Sequence, residues 1–373
     1  MTIEKRNKMK PVYIMIGGFL GAGKTTTVAR LARHYLKQGR NVGIVTNDQT
    51  TDLVDTHSLR SQGFDVGEVA GPVSAATSTR DVDCRKTWCR TAARNHHCRA
   101  CWQLHGSGGD RDSSSDRSLR RSAARAPYGV ILKAPSHGLR ILKGDGGSGF
   151  SPKAGHIFRK QIEEADFVVI NRIDELSSDQ VDELQRLIEE QYPGRPVLRC
   201  SAKTGEGFDA LVAMLEQRGL FGQRVMEVDY DLYAEGEAEL GWLNSQVSVE
   251  GSKNFPLDQL LLDLITRLHH RLVGSDAEAA HLKVIGLCDQ NYAVANLVSN
   301  VTGPELSLAS SAETTQASIV VNARVATDPA DLELIVRQEL TDVCAEFGIG
   351  HQVVSLQSFR PGRPVPTHRI LPS

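Results

Sequence analysis

Gly18-Phe19-Leu20-Gly21-Ala22-Gly23-Lys24-Thr25 satisfies G-x-x-x-x-G-K-[ST] at every position, the spacing of a loop that cradles phosphates. Glycines let successive backbone N–H groups turn inward around phosphate oxygens, where a helix N-terminus adds partial positive charge. Lys24 is placed to reach the outer phosphates and the Thr25 hydroxyl to ligate Mg²⁺. Gly18, Gly21, Ala22, Gly23 and Thr26 complete the candidate phosphate contacts. The competing reading is a Gly-rich turn that happens to precede a lysine.

The flanking elements favour the phosphate loop. Four of the five residues Val12–Ile16 are aliphatic or Met, the composition of a buried parallel strand. From Lys24 to Gln38, Val28, Leu31, Ala32 and Tyr35 mark one helical face, stopped by Gly39. Asn41–Thr46 reads as a second buried strand with Asn47-Asp48 at its carboxyl end. Ligands gather at that edge of an open α/β sheet. Asp48 is therefore a candidate for a Mg²⁺-linked water or for positioning an attacking water, against the alternative of an ordinary turn Asp.

Phe167–Ile170 is a further buried strand and runs into Asn171-Arg172-Ile173-Asp174. This resembles the Asn-Lys-x-Asp motif by which GTPases read guanine. A carboxylate at the last position accepts both the ring N–H and the exocyclic amine, a pair that adenine does not offer. Arg172 stands where the motif has Lys, and its stem can pack on a base in the same way. A helix over Ser178–Gln191 and a strand near Val197–Arg199 lead to Ser201-Ala202-Lys203-Thr204-Gly205. That run resembles the Ser-Ala-Lys loop whose backbone amide meets the guanine carbonyl. Each motif alone is weak; in this order, each after a strand and behind a phosphate loop, they reinforce one another.

Together GGFLGAGKTT, VTNDQ, NRID and SAKTGEG resemble the CobW/HypB/UreG family of GTPases, its CobW branch above all. The likeness covers about residues 11–220 and a C-terminal part of the CobW kind. It implies an α/β P-loop NTPase of SIMIBI type: a parallel sheet with helices on both faces, over residues 1–222, and a smaller α+β domain over 223–373. It further implies GTP and Mg²⁺ as ligands, GTP hydrolysis, and a transported metal, Zn²⁺ or Co²⁺, handed to a metalloenzyme or cofactor-pathway client. A homodimer is a possible assembly. An ATP-dependent kinase or ligase on the same loop is the alternative enzyme, disfavoured by Asp174; a damaged, non-catalytic nucleotide-binding product is the third reading.

One segment breaks the pattern. Across residues 71–125 hydrophobic periodicity vanishes and Arg, Ser, Cys, His and Trp dominate. The family has there a Cys-x-Cys-Cys metal motif and a strand ending in Glu-x-x-Gly, and neither is present. Cys84, Cys89, His96, His97, Cys98 and Cys101 are legitimate zinc ligands, with knuckle spacing at Cys98-Arg-Ala-Cys101. The preferred reading is a shifted frame. Read one base later, the codons of residues 93–112 permit three consecutive Ile and then Glu-x-x-Gly. Read one base earlier, those of residues 73–79 permit Cys-x-Cys-Cys. By Pro127 the chain is back in frame. The expectation is an irregular segment with no strand to insert into the sheet, feeble hydrolysis, and metal binding that does not respond to GTP.

Composition agrees with an ordinary globular chain. At 373 residues and 40% apolar it can fill two cores. A net charge of −2 gives no sign of a nucleic-acid or membrane surface. No run approaches the ~20 apolar residues of a bilayer span. The opening MTIEKRNKMK before VYIMIGGFL imitates a signal peptide but lacks a small-residue cleavage site, so it reads as a basic lead into the first strand of a cytoplasmic protein. Seven cysteines do not make a secreted disulfide scaffold at this length.

The C-terminal part reads as β-α-β-β-β-α-β. Strands are expected at Gly241–Val249, His281–Leu287, Tyr292–Val298, Ser318–Val325 and Gln352–Phe359. Helices are expected at Pro256–Val273, on Leu260, Leu261, Leu264 and Leu268, and from Asp328 to Phe347. His269-His270 point apart on a helix and suit the surface better than a metal. No catalytic constellation stands out here.

Overall fold

The structure is a computed structural model that describes residues 12–18, 21–48, 59–60, 62–70, 98–104, 124–133, 138–143, 152–221, 239–289, 291–297, 300 and 303–361. Among them eight strands form a parallel sheet: β1 (Val12–Gly18), β2 (Asn41–Asp48), β3 (Val66–Ala70), β4 (Cys98–Leu104), β5 (Ala124–Arg125), β6 (Gly129–Lys133), β7 (Phe167–Asn171) and β8 (Val197–Cys200). Their order is β3-β2-β4-β1-β6-β7-β8, with the two-residue β5 also on β1.

Alternation along the strands builds two cores, as a period of two requires. Ile14, Ile16, Ile131, Phe167 and Val169 face one side. There they meet Val28, Leu31 and Tyr35 of α1 (Lys24–Lys37) and Leu211 and Leu215 of α5 (Phe208–Leu215). Val130, Leu132, Val168 and Ile170 face the other. They meet α2 (Leu139–Lys143), α3 (Pro152–Glu164) and α4 (Ser178–Gln191) through Ile141, Phe158, Ile162, Leu184 and Ile188. Each such side chain, buried to a few per cent or less, is worth about 1.5–3 kcal/mol relative to exposure. Helices thus cover both faces, as the family resemblance implies.

The second sheet is antiparallel and six-stranded, in the order β12-β11-β10-β13-β9-β14. Its strands are β9 (Gly241–Pro256), β10 (Ala279–Cys288), β11 (Asn291–Leu297), β12 (Pro304–Leu308), β13 (Glu313–Val325) and β14 (Ile349–Phe359). Helices α6 (Leu257–Gly274) and α7 (Pro329–Glu346) cover one face with Leu261, Leu264, Leu268, Val336 and Leu340. The other face carries a smaller cluster of Ile285, Val294 and Val320.

Several expectations are corrected. The anomalous segment does insert a strand. β4 pairs Ala100 with Val12 of β1 and with Val42 of β2, so it lies inside the sheet, and β5 adds two more residues. Backbone hydrogen bonding on both sides of an interior strand holds it without hydrophobic alternation in its own sequence. Cys84, Cys89, His96 and His97 lie outside the described residues, as do Phe19 and Leu20. β6, α3 and the edge strand β12 had no counterpart in the expected order. β9 runs on to Pro256 because Glu313 and Thr314 pair with Pro256 and Phe255, although that stretch is largely exposed. Among the described residues no helix is long and apolar enough to cross a membrane.

Candidate functional site

β1 delivers Gly18 to the carboxyl edge of the sheet, and α1 leaves that edge from Lys24. Gly18, Gly21 and Gly23 have φ of 142°, 72° and 90°, a region that side-chain-bearing residues avoid. A Cβ at Gly18 would strike the Ile131 carbonyl oxygen, and one at Gly23 the Asn171 amide. The first turn of α1 carries no acidic residue and its cap, Gly23, no side-chain hydrogen bond. Its N-terminal amides and partial positive charge are therefore not countered by a carboxylate of the helix itself. Lys24 Nζ donates to the Gly18 carbonyl at 2.7 Å, which folds the amine over the loop. Thr25 and Thr26 lie in the same turn and line the cleft beside it. Asp48 ends β2, its backbone paired with Ala70.

The second candidate group stands at the same edge, two strands away. Asn171, 1% exposed, donates from Nδ2 to the Ala22 carbonyl at 2.8 Å and accepts the Ala202 N–H on Oδ1 at 2.9 Å. One side chain ties the phosphate loop to the Ser-Ala-Lys loop. Arg172 follows with φ of 65°, unusual for a residue other than Gly, Asn or Asp, and opens a 3₁₀ turn, Ile173–Glu175. Asp174 sits exposed on that turn, lining the cleft. Ser201 is buried; its Oγ accepts the Thr204 N–H at 3.0 Å and its carbonyl the Gly205 N–H at 2.8 Å. This closes a tight loop that presents Ala202 and Lys203.

Three participants escape a reading of motifs. Arg30 of α1 donates from Nε to the Ala202 carbonyl at 2.8 Å and from Nη2 to the Lys203 carbonyl at 2.6 Å, with its guanidinium over the Phe208 ring. Lys133 ends β6 beside Asn171 in register and is 2% exposed. Burial first, then the Arg172 charge, hold its amine well below the usual lysine pKa. Glu305 of β12 reaches Arg172 at 3.1 Å and Lys203 at 3.6 Å. Nothing in the local sequence marks Arg30, Lys133 or Glu305.

Gly23, Lys24, Arg30, Asn171, Asp174, Lys203 and Glu305 line one cleft of about 350 Å³. The phosphate loop forms its floor, Asp174 and Lys203 line its wall, and Lys283, Asn296 and Glu305 of the antiparallel sheet close it. Six Lys and Arg side chains line it against three carboxylates, a balance that suits a polyphosphate. The glycine cradle, the amine and the hydroxyl at the helix start fit a triphosphate with its Mg²⁺. Among the described residues no group of three or more His, Cys, Asp or Glu is placed to hold a metal ion by itself.

A family model for the CobW/HypB/UreG nucleotide-binding domain matches residues 12–81. Urease accessory protein UreG 2 of Bradyrhizobium sp. is 28% identical over 219 residues, 57% of this chain and 94% of that protein. The signal recognition particle 54 kDa protein of Pyrococcus abyssi is 54% identical over 41 residues, 11% of this chain and 9% of that one. Among solved structures, hydrogenase maturation factor HypB of Archaeoglobus fulgidus aligns over 55% of this chain and 88% of its own, at 15% identity and TM-score 0.37. A Zn(II)-bound triple mutant of YjiA GTPase aligns over 91% and 99%, at 14% identity and TM-score 0.35.

Proposed function

We propose that this chain, whose residues 12–81 match a model of the CobW/HypB/UreG nucleotide-binding domain, binds GTP and hydrolyses it in the service of metal delivery. The observation that carries the reading is one cleft lined by Gly23, Lys24 and Thr25 at one end and Asp174, Ala202 and Lys203 at the other. A phosphate cradle and a guanine-reading carboxylate then share one ligand. Residues 1–222 form the nucleotide unit and 223–373 the second unit.

In this reading the Gly18–Gly23 amides cradle the β-phosphate, and Lys24 leaves the Gly18 carbonyl for the β- and γ-phosphate oxygens. Thr25 would hold Mg²⁺, which when bound supplies charge neutralisation on the phosphates. Asp48 positions the attacking water or a water of the metal shell. Asp174 accepts guanine N1–H and the exocyclic amine; Asn171 keeps the two loops in register, and Lys203 flanks the base. Water attacks the γ-phosphorus, the bond to the β–γ bridging oxygen breaks, and inorganic phosphate leaves. The likeness to a urease accessory protein supports coupling to a metalloenzyme or cofactor-pathway client. Zn²⁺ or Co²⁺ is the cargo, in the cytoplasm.

Calorimetry with GTP, ATP and buffer tests the assignment. GTP binds and ATP does not compete, and Asp174→Asn weakens GTP by at least about tenfold, the worth of charge-assisted hydrogen bonds, while admitting xanthosine triphosphate. Equal affinity of the parent for ATP and GTP overturns it.

A further inference from the structure

Both loops that flank the base position carry a cation, and both cations end on one carboxylate of the other sheet. Glu305 Oε1 lies 3.1 Å from Arg172 Nη2, and Oε2 lies 3.6 Å from Lys203 Nζ. The Arg172 half of the contact is the more enclosed one, since the Lys203 side chain is 64% exposed. The Arg172 side chain is 17% exposed and is gripped from behind by Glu175, with Nε donating at 2.6 Å. Glu305 stands in β12, directly across from Asn296 in β11, which is across from Lys283 in β10. All three line the cleft, so the carboxylate is mounted on a cross-strand row rather than on a free loop.

We propose that Glu305 is a positioning residue for guanine recognition, supplied to the nucleotide unit by the C-terminal sheet, so that base selectivity depends on the docking of that sheet. The inference rests on the guanine reading of Asp174 and goes beyond it. Arg172 is the cap residue of the 3₁₀ turn that bears Asp174, and its backbone is already in a costly conformation. Such a conformation persists only where surroundings over-determine it. Glu175 is on the same turn and cannot fix the turn relative to anything else. Glu305 can, because it comes from a different sheet. Its second oxygen holds Lys203, whose carbonyl is held by Arg30. One carboxylate therefore sets the spacing between the turn carrying Asp174 and the Ser-Ala-Lys loop, the two jaws between which a purine would lie. Without it, the Arg172 and Lys203 charges are left with no carboxylate of the second sheet between them.

The test uses the full chain and inosine triphosphate, which lacks the exocyclic amine and so reports how well Asp174 is aimed. Affinities for GTP, GDP and inosine triphosphate are measured by calorimetry in the parent, Glu305→Gln, Glu305→Asp and Glu305→Lys. Glu333→Gln, on α7 in an ion pair with Arg337 and outside the cleft lining, controls for charge. Glu305→Gln weakens GTP by about fivefold, the upper range of an exposed ion pair, and Glu305→Lys weakens it further. In both, the preference for GTP over inosine triphosphate narrows while GTP against GDP is unchanged; Glu305→Asp keeps part of the preference. Salt provides a second route without mutation. Near 1 M the screening length falls to about 3 Å, and the same preference narrows in the parent, since the two triphosphates carry equal charge. A GTP preference unchanged in Glu305→Lys, or unchanged by salt in the parent, overturns the proposal and leaves guanine binding standing. A parent that does not prefer GTP to ATP overturns the guanine reading itself.

Discussion

Asn171 and Lys133 are neighbours in register at the end of adjacent strands, and the sheet treats them very differently. Asn171 engages both ends of its amide in holding two loops together. Its motif position was legible; that it acts as a tie between Ala22 and Ala202 needs tertiary neighbours 149 and 31 residues away. Lys133 is buried, with its pKa pushed down mainly by that burial. Above the ordinary lysine pKa of 10.5, folded and unfolded chains are both neutral at this amine. As pH falls below 10.5 the unfolded chain takes a proton that the folded chain resists, so Lys133 lowers stability progressively until the folded amine also protonates. Lys133→Met removes that dependence. The variant's stability relative to the parent, from urea unfolding, is expected to rise between pH 10 and pH 7; a difference flat in pH counts against the assignment. Nothing in GVILK marks its lysine as buried. Only its burial beside β7 in the folded sheet shows it. Arg30 is similar, an ordinary helix residue until the Ser-Ala-Lys loop arrives under it.

Elements with strong periodicity were legible and those shaped by their partners were not. The helix expected at Ser178–Gln191 is found with those bounds. Ser177 and Gln180 there close a reciprocal capping box, and the chain before it is a strand of five buried residues. Chemistry local to the sequence decides both. β12 has five half-exposed or exposed residues and no alternation of its own; pairing with β11 defines it. β4 is the sharper case, because a segment without core-like pattern occupies the slot between β1 and β2. Its position makes a direct prediction. A residue inside an interior strand donates its N–H to a neighbouring strand, and proline cannot. Ala100→Pro therefore loses a buried ladder hydrogen bond, at a cost of about 1–3 kcal/mol, whereas Ala100→Gly costs only propensity, at most about 1 kcal/mol. Urea midpoints separate the two. Equal midpoints for both variants, close to the parent, mean that β4 does not lie in the sheet interior and return residues 98–104 to the irregular reading.

At the scale of the whole molecule, the two sheets have separate cores and share the cleft. The parallel sheet is packed on both faces by its own helices, and the antiparallel sheet on one face by α6 and α7. Between them lie the polar walls of the cleft and the ion pairs of Glu305. Polar interfaces of this kind let units move relative to each other, so a ligand that contacts both walls is what holds them in one arrangement. A ligand stabilises the folded state by RT ln(1 + [L]/Kd), about 2.7 kcal/mol at a hundredfold excess over Kd. If GTP touched the nucleotide unit alone, that gain would stay in the phosphate loop, α1 and the strands beside them. Because Lys283, Asn296 and Glu305 form the opposite wall, protection must reach β10, β11 and β12. The edge strand β12 is the sensitive reporter, being short and paired on one side only, hence among the first parts to open. Hydrogen exchange read by mass spectrometry, with and without saturating GTP and Mg²⁺, is expected to slow in residues 304–308 as well as in 21–37, with β14 at the far edge unaffected. Protection confined to the nucleotide unit, with β12 exchanging as in the free protein, would show that the two sheets do not share the ligand, and the cleft would then belong to the parallel sheet alone.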